Sequence, residues 1–195
     1  MLHSLRRVAL PAFLMLLAGS ASAQDATLDG QWFKLKLKVK GRTAVPDAEA
    51  PHKVTLTQTA YLHLTLAPTD SASEALFPDY SGTDYAYDLW VETAPDEWAS
   101  TYNDVVEIES ASPTDFFLSD FALNLGFPTG ALVDTFLTAA IKVKLDKEGA
   151  FKSATFTSLG GQAWQGTTDG TDALRGGITI TGKTIAVDKL PFTPP

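Results

Sequence analysis

The chain contains no cysteine, two methionines and a single long apolar run. Without cysteine there are no disulfides, no thiolate zinc sites and no cysteine nucleophile, so the fold must be stabilised by its core alone. Basic residues are missing from one long interval: no Lys or Arg falls between Lys53 and Lys142, a stretch that holds 14 Asp and Glu residues. No Gly-X-Ser-X-Gly elbow, phosphate-cradling glycine loop or His-Glu-X-X-His motif is present, which leaves serine-hydrolase, nucleotide and zinc-protease readings without support.

The apolar run, Val8–Leu17, follows Arg6 and Arg7 and precedes the small residues Ala18-Gly19-Ser20-Ala21-Ser22-Ala23. That order is the pattern of a signal peptide. Its apolar part is about half of the roughly 20 residues a membrane-spanning helix needs. Residues 1–23 are therefore read as a signal cleaved after Ala23. Residues 24–195 are read as a single β domain, periplasmic or secreted, with no transmembrane anchor after cleavage. Cleavage leaves 13 basic against 23 acidic residues, a net charge of −10. So acidic a chain is unsuited to nucleic acid, where phosphate contacts dominate affinity.

What the sequence does contain is alternation. Phe33, Leu35, Leu37 and Val39 take one side of a strand and Lys34, Lys36, Lys38 and Lys40 the other. Val54 to Leu66 repeats the pattern, with Gln58 interrupting its apolar face, and so does Tyr85 to Val91, where Tyr85 and Tyr87 oppose Trp90. Val105–Glu109 reads as a short strand, followed by a strand from Phe117 to Phe127. Residues 131–140 also fit a helical face, but odd-numbered apolar positions continue from Val133 to Leu145, so a strand is expected, ending at the hairpin loop Asp146–Gly149. A return strand covers Phe151–Leu159, Gly160–Gly177 reads as a loop, and a last hairpin joins Ile178–Thr181 to Thr184–Val187 through Gly182-Lys183. The expectation is an all-β antiparallel meander of about nine strands. The length of several strands favours an up-and-down barrel over a β-sandwich.

Two short motifs bear on that choice. Gly30-Gln31-Trp32 opens the first strand and Thr83-Asp84-Tyr85 a later one, and together they resemble the Gly-X-Trp and Thr-Asp-Tyr signatures of the lipocalins. The resemblance implies an eight-stranded, calycin-type barrel carrying a small apolar ligand. It covers six residues, and it departs from the family in placement: only about two strands precede Thr83, and no long helix follows the barrel.

Candidate sites are few. The Lys34, Lys36, Lys38 and Lys40 ladder is expected to be a solvated face, with Asp88 and Glu92 as neighbours on an adjacent strand; exposed and unpaired, it would suit an acidic glycan or protein. Trp90, Trp98 and Trp164, with Tyr85 and Tyr87, are the candidate ligand-binding rings, Trp98 and Trp164 lying in loop-like stretches. His52 and His63 are eleven apart, on opposite faces of a strand, so no metal site is expected. Acid-rich loops around Asp79–Asp88 and Asp169–Asp172 lack a complete calcium motif. No cofactor and no catalytic residue is assigned, although Asp96-Glu97 beside Trp98 is where a carboxylate pair would be sought. The functional expectation is non-catalytic binding of a small apolar ligand, or of a glycan or envelope protein at the surface. A carbohydrate-binding module, a carboxylate-based glycoside hydrolase and a small outer-membrane β-barrel are the alternatives.

Overall fold

The computed structural model describes residues 28–43, 53–67, 83–126, 132–166 and 172–194; the signal segment, His52 and the loops Asp79–Gly82 and Asp169–Thr171 lie outside them. The described chain is β structure throughout: β1 (Gln31–Thr43), β2 (Lys53–Leu66), β3 (Thr83–Ala94), β4 (Glu97–Ser112), β5 (Asp115–Gly126), β6 (Leu132–Leu145), β7 (Phe151–Gly166) and β8 (Asp172–Thr184). Each strand pairs antiparallel with its neighbour in sequence, and β1 pairs with β8 as well, so the meander returns on itself as a closed barrel. Closure removes the two free edges that an open sheet of this size would expose.

Alternation determines which side faces inward. Phe33, Leu35, Leu37 and Val39 are buried while Lys34, Lys36, Lys38 and Lys40 are exposed. On β6, Val133, Thr135, Leu137, Ala139, Ile141 and Val143 are buried on the alternate positions that distinguish a strand from the competing helix. The inner rows merge into one apolar core running through every strand.

Among the described residues the strand count is eight rather than nine, and every strand correction involves glycine or a bulge. Gly182-Lys183 is not a turn: β8 is continuous through it, with Gly182 opposite both Leu35 and Phe156. A Cβ on Gly182 would lie 2.5 Å from Leu35 Cδ2 and 2.6 Å from the Lys34 carbonyl, so the residue permits close strand approach. The expected loop Gly160–Gly177 is instead largely strand, β7 continuing to Gly166 and β8 starting at Asp172. Gly161, Gly176 and Gly177 lie within the pairing, and at Gly161 and Gly176 the neighbouring strands leave no room for a Cβ. Val105–Glu109 is the middle of a 16-residue β4 that begins at Glu97. Register shifts between Leu89 and Trp90 and between Glu92 and Ala94 obscure its alternation.

At the end of the barrel where β1 begins, the described residues are packed and hydrogen-bonded. Leu28 is fully buried beneath it, Gly30 turns the chain into β1 with a φ of 68°, and the Asp29 carboxylate accepts the Leu66 N–H at 2.7 Å at the end of β2. The short hairpins at this end supply their own hydrogen bonds. Asp146 Oδ1 accepts the N–H groups of Glu148 (3.0 Å) and Ala150 (2.8 Å), with Gly149 at a φ of 84°, in the loop where alternation placed it. Asp115 accepts the hydroxyls of Ser112 (2.8 Å) and Thr114 (3.2 Å) and meets Lys142 at 3.6 Å.

Candidate functional site

Inside the barrel the two halves differ. Four rings from alternate strands meet across the lumen: Tyr87 on Phe121 (4.9 Å between centroids), Phe121 on Phe156 (6.0 Å) and Phe156 on Phe33 (6.3 Å). Edge-to-face and tilted contacts at these distances are the favourable geometry for aromatic pairs, so this half is filled. The Tyr87 hydroxyl donates to the Ala122 carbonyl at 2.7 Å, which meets its polar requirement.

Four residues further along β1 than Phe33, about 13 Å of strand, the inner face carries aliphatic residues around one amide. Gln58 on β2 stands opposite Leu37, between Leu56 and Ala60 on its own inner face, with Val91 opposite Ala60 and Ile180 opposite Leu37. Gln58 is buried, and neither Oε1 nor Nε2 has a hydrogen-bond partner. Among the described residues the other buried polar one is Thr135, which is satisfied by donating to the Leu123 carbonyl at 3.1 Å. Desolvating an amide without compensation costs about 1–3 kcal/mol on mutational scales, so an orphaned amide in an otherwise aliphatic lining is a chemical signal.

The five rings singled out from the sequence do not form one site. Tyr85 and Tyr87 are buried core residues of β3. Trp90 points outward, as its opposite parity required, and Trp98 lies on β4 rather than in a loop. These two share a cluster on the outside of β1–β4 whose centre is Phe192 of the C-terminal segment. Phe192 stacks on Trp90 (4.7 Å, 13°) and also touches Trp98, Tyr61 and Trp32 at 5.5–5.8 Å. Trp32 in turn stacks on His63 (4.4 Å, 9°). Trp90 and Trp98 are thus covered by the chain's own ring and do not offer an open pair to a sugar. Trp164 is a β7 residue, not a loop residue, in register with Asp134 and Arg175 and remote from the other indoles in strand order.

This outer cluster holds the C-terminal segment against the barrel. Replacing Phe192 with Ala is expected to release it, shifting tryptophan emission to the red as Trp32, Trp90 and Trp98 gain water. Stability should fall by only about 1–2 kcal/mol, the scale of a few aromatic contacts. Unchanged emission in the variant would show that the segment does not depend on this ring. Burial holds His63 below the usual histidine value, against the opposing pull of Asp88 and Asp29. A depressed histidine means that the unfolded chain binds more protons in the window below about pH 6.5. The contribution of neutral His63 is therefore complete above that pH and is lost as the pH falls from there through the lowered folded value. Urea midpoints measured between pH 7.5 and 5 should show this decline, and His63→Phe, which keeps a ring on Trp32, should remove it.

The lysine ladder is fully outward, but its expected acidic neighbours are not beside it. In register with Lys34, Lys36, Lys38 and Lys40 stand Tyr61, Thr59, Thr57 and Thr55 on β2 and Lys183, Thr181, Thr179 and Gly177 on β8. Asp88 and Glu92 belong to β3, a whole strand beyond, where Asp88 faces His63 and Glu92 accepts the Asp96 N–H at 3.1 Å. Asp96 sits with Pro95 in a tight turn at a φ of 61°, Glu97 opens β4, and Thr93 Oγ1 donates to the Glu97 carbonyl. The Ser112 and Thr114 hydroxyls and Lys142 hold the Asp115 carboxyl below its usual value, opposite to what a general acid requires. Among the described residues no group of three His, Asp or Glu is placed to hold a metal ion, and no helix is long and apolar enough to cross a membrane.

Gln58 is the residue that sequence reading passed over. Its signal was present, an amide at an inward position of an otherwise apolar row, but only the register shows that nothing answers it. Comparison with known proteins finds no matching family model, no matching curated relative and no matching solved structure.

Proposed function

We propose that this chain is an exported, non-catalytic carrier of a small, mainly apolar ligand with one hydrogen-bonding end, held in the aliphatic half of the barrel with that end on Gln58. The observation that carries the reading is the buried side-chain amide with both polar atoms unpartnered. A primary amide offers two donors and an acceptor, so it suits a carboxylic acid, amide or hydroxyl at the end of a hydrocarbon body. Leu37, Leu56, Ala60, Val91 and Ile180 supply the apolar wall, and a mostly apolar lining with one placed polar group is the usual composition of a small-molecule site.

The reading agrees with what the likeness to lipocalins implies, an eight-stranded, calycin-type barrel that carries a small apolar ligand. Export rests on the signal-like residues 1–23. Exposed lysines and threonines on the outer faces of β1 and β2 favour water around the barrel, since a membrane-spanning barrel turns an apolar band outward.

The test is titration of the purified protein with a fluorescent fatty-acid probe, with organic extraction to identify what co-purifies. Saturable binding that weakens about tenfold or more in Gln58→Leu is expected, the scale of one lost hydrogen bond to a buried group. Absence of saturable probe binding together with an extract free of organic ligand would end the proposal.

A further inference from the structure

A second site lies on the outside, where the C-terminal segment crosses the seam between β1 and β8. A cleft of about 260 Å³ is lined by Lys34 of β1, Lys183 and Thr184 of β8, and Ile185, Ala186 and Lys189 of the segment that follows. Its volume is just below the roughly 300–1,000 Å³ typical of small-molecule pockets, so any ligand is small.

Three lysines from three elements meet at this cleft, and no carboxylate lines it. Lys34 and Lys183 stand directly opposite each other in the β1–β8 register, an arrangement that is ordinarily unfavourable in a sheet. Lys34 Nζ lies over the Tyr61 ring at 5.8 Å, and among the described residues none of the three lysines forms an ion pair. The next ladder residue, Lys36, lies between Thr59 and Thr181 and brings no neutralising charge. Asp188 is the nearest acid in sequence, beside Lys189 in the single turn of 3-10 helix, and it is exposed. Thr184 Oγ1 accepts the Ala154 N–H at 3.0 Å, which leaves its own O–H to donate. Ile185 and Ala186 complete the wall with apolar surface.

We infer that this cleft binds the oxyanion of a small soluble phosphate or sulfate monoester. The anion would neutralise the Lys34, Lys183 and Lys189 cluster and rest its organic part on Ile185 and Ala186. Lysine suits this task because its ammonium acts as a compact charge with three donors. The site is on the outer face and independent of the interior around Gln58.

Titration of the full chain with methyl phosphate, and separately with methyl sulfate, at constant ionic strength tests the proposal through the amide resonances of residues 183–189. At least one ester should give saturable shifts confined to that segment and to the amides flanking Lys34, and the two constants show which oxyanion is preferred. The double variant Lys183→Gln, Lys189→Gln should bind about tenfold more weakly, the equivalent of one charge-assisted contact. Lys36→Gln with Lys38→Gln, further along the ladder, should stay within about twofold. Unsaturable shifts with both esters, shifts spread evenly along Lys36, Lys38 and Lys40, or an unchanged constant in the double variant would each overturn it. None of these outcomes alters probe binding in the interior, so the two proposals stand or fall separately.

Discussion

Gln58→Leu is expected to make the ligand-free protein more stable while weakening its hold on an amphipathic ligand. The wild-type side chain buries an amide whose oxygen and nitrogen are both unanswered, a deficit of about 1–3 kcal/mol that leucine would not carry. Leucine occupies a similar volume and would meet Leu37, Leu56 and Ala60 as one more aliphatic neighbour. A gain of about 1–3 kcal/mol in urea unfolding should result, equivalent to several degrees in Tm for a chain of this length. Most core substitutions destabilise, so the sign alone is informative. A destabilised variant would mean that the amide is satisfied in solution. A stabilised variant with undiminished probe affinity would mean that Gln58 is structural ballast, and the carrier reading would fall. Stability given up for a polar contact that only a ligand completes is the usual mark of a binding site.

Gly176→Ala should have the largest destabilising effect. A Cβ at Gly176 would lie 2.2 Å from the Lys40 carbonyl oxygen and 2.5 Å from Gly41 Cα, and Gly41 is its register partner across the β1–β8 seam. Both obstacles are backbone, so no side-chain rotation relieves the contact and the two closing strands must separate. A loss of about 3 kcal/mol or more is expected, at the upper end of overpacking costs. Amide exchange should rise first along β1 and β8. Gly160→Ala is the matched control, because a Cβ there meets nothing within 4 Å, and it should be neutral or slightly stabilising through the unfolded chain. If Gly176→Ala lay within 1 kcal/mol of the parent, the seam could not be as close as the structure has it.

The lysine ladder, the Tyr85/Tyr87 row and the β6 strand were legible because each depends on a residue's relation to its neighbours two positions away. Where that relation is broken, reading the sequence fails in specific ways. Glycine carries no side chain to report a face, so the stretches around Gly160, Gly161, Gly176, Gly177 and Gly182 resembled loop and turn although these residues lie in β7 and β8. Register shifts in β4 reset the parity, so only its middle was recognisable. Phe192 gave no signal at all: a ring in a proline-bounded tail has no period, and its partners come from β1, β2, β3 and β4.

Alternating side chains are a local property, and they alone determined that this chain forms strands, which residues face inward and which face water, and that four lysines share the outer face of β1. Closure, the separation of five candidate rings into core and surface, and the isolation of Gln58 were decided by tertiary structure. Those outcomes depend on which residues stand opposite one another across neighbouring strands and across the lumen. Register between distant segments is set by packing and by the close approaches that glycine allows, and neither leaves a period in the sequence.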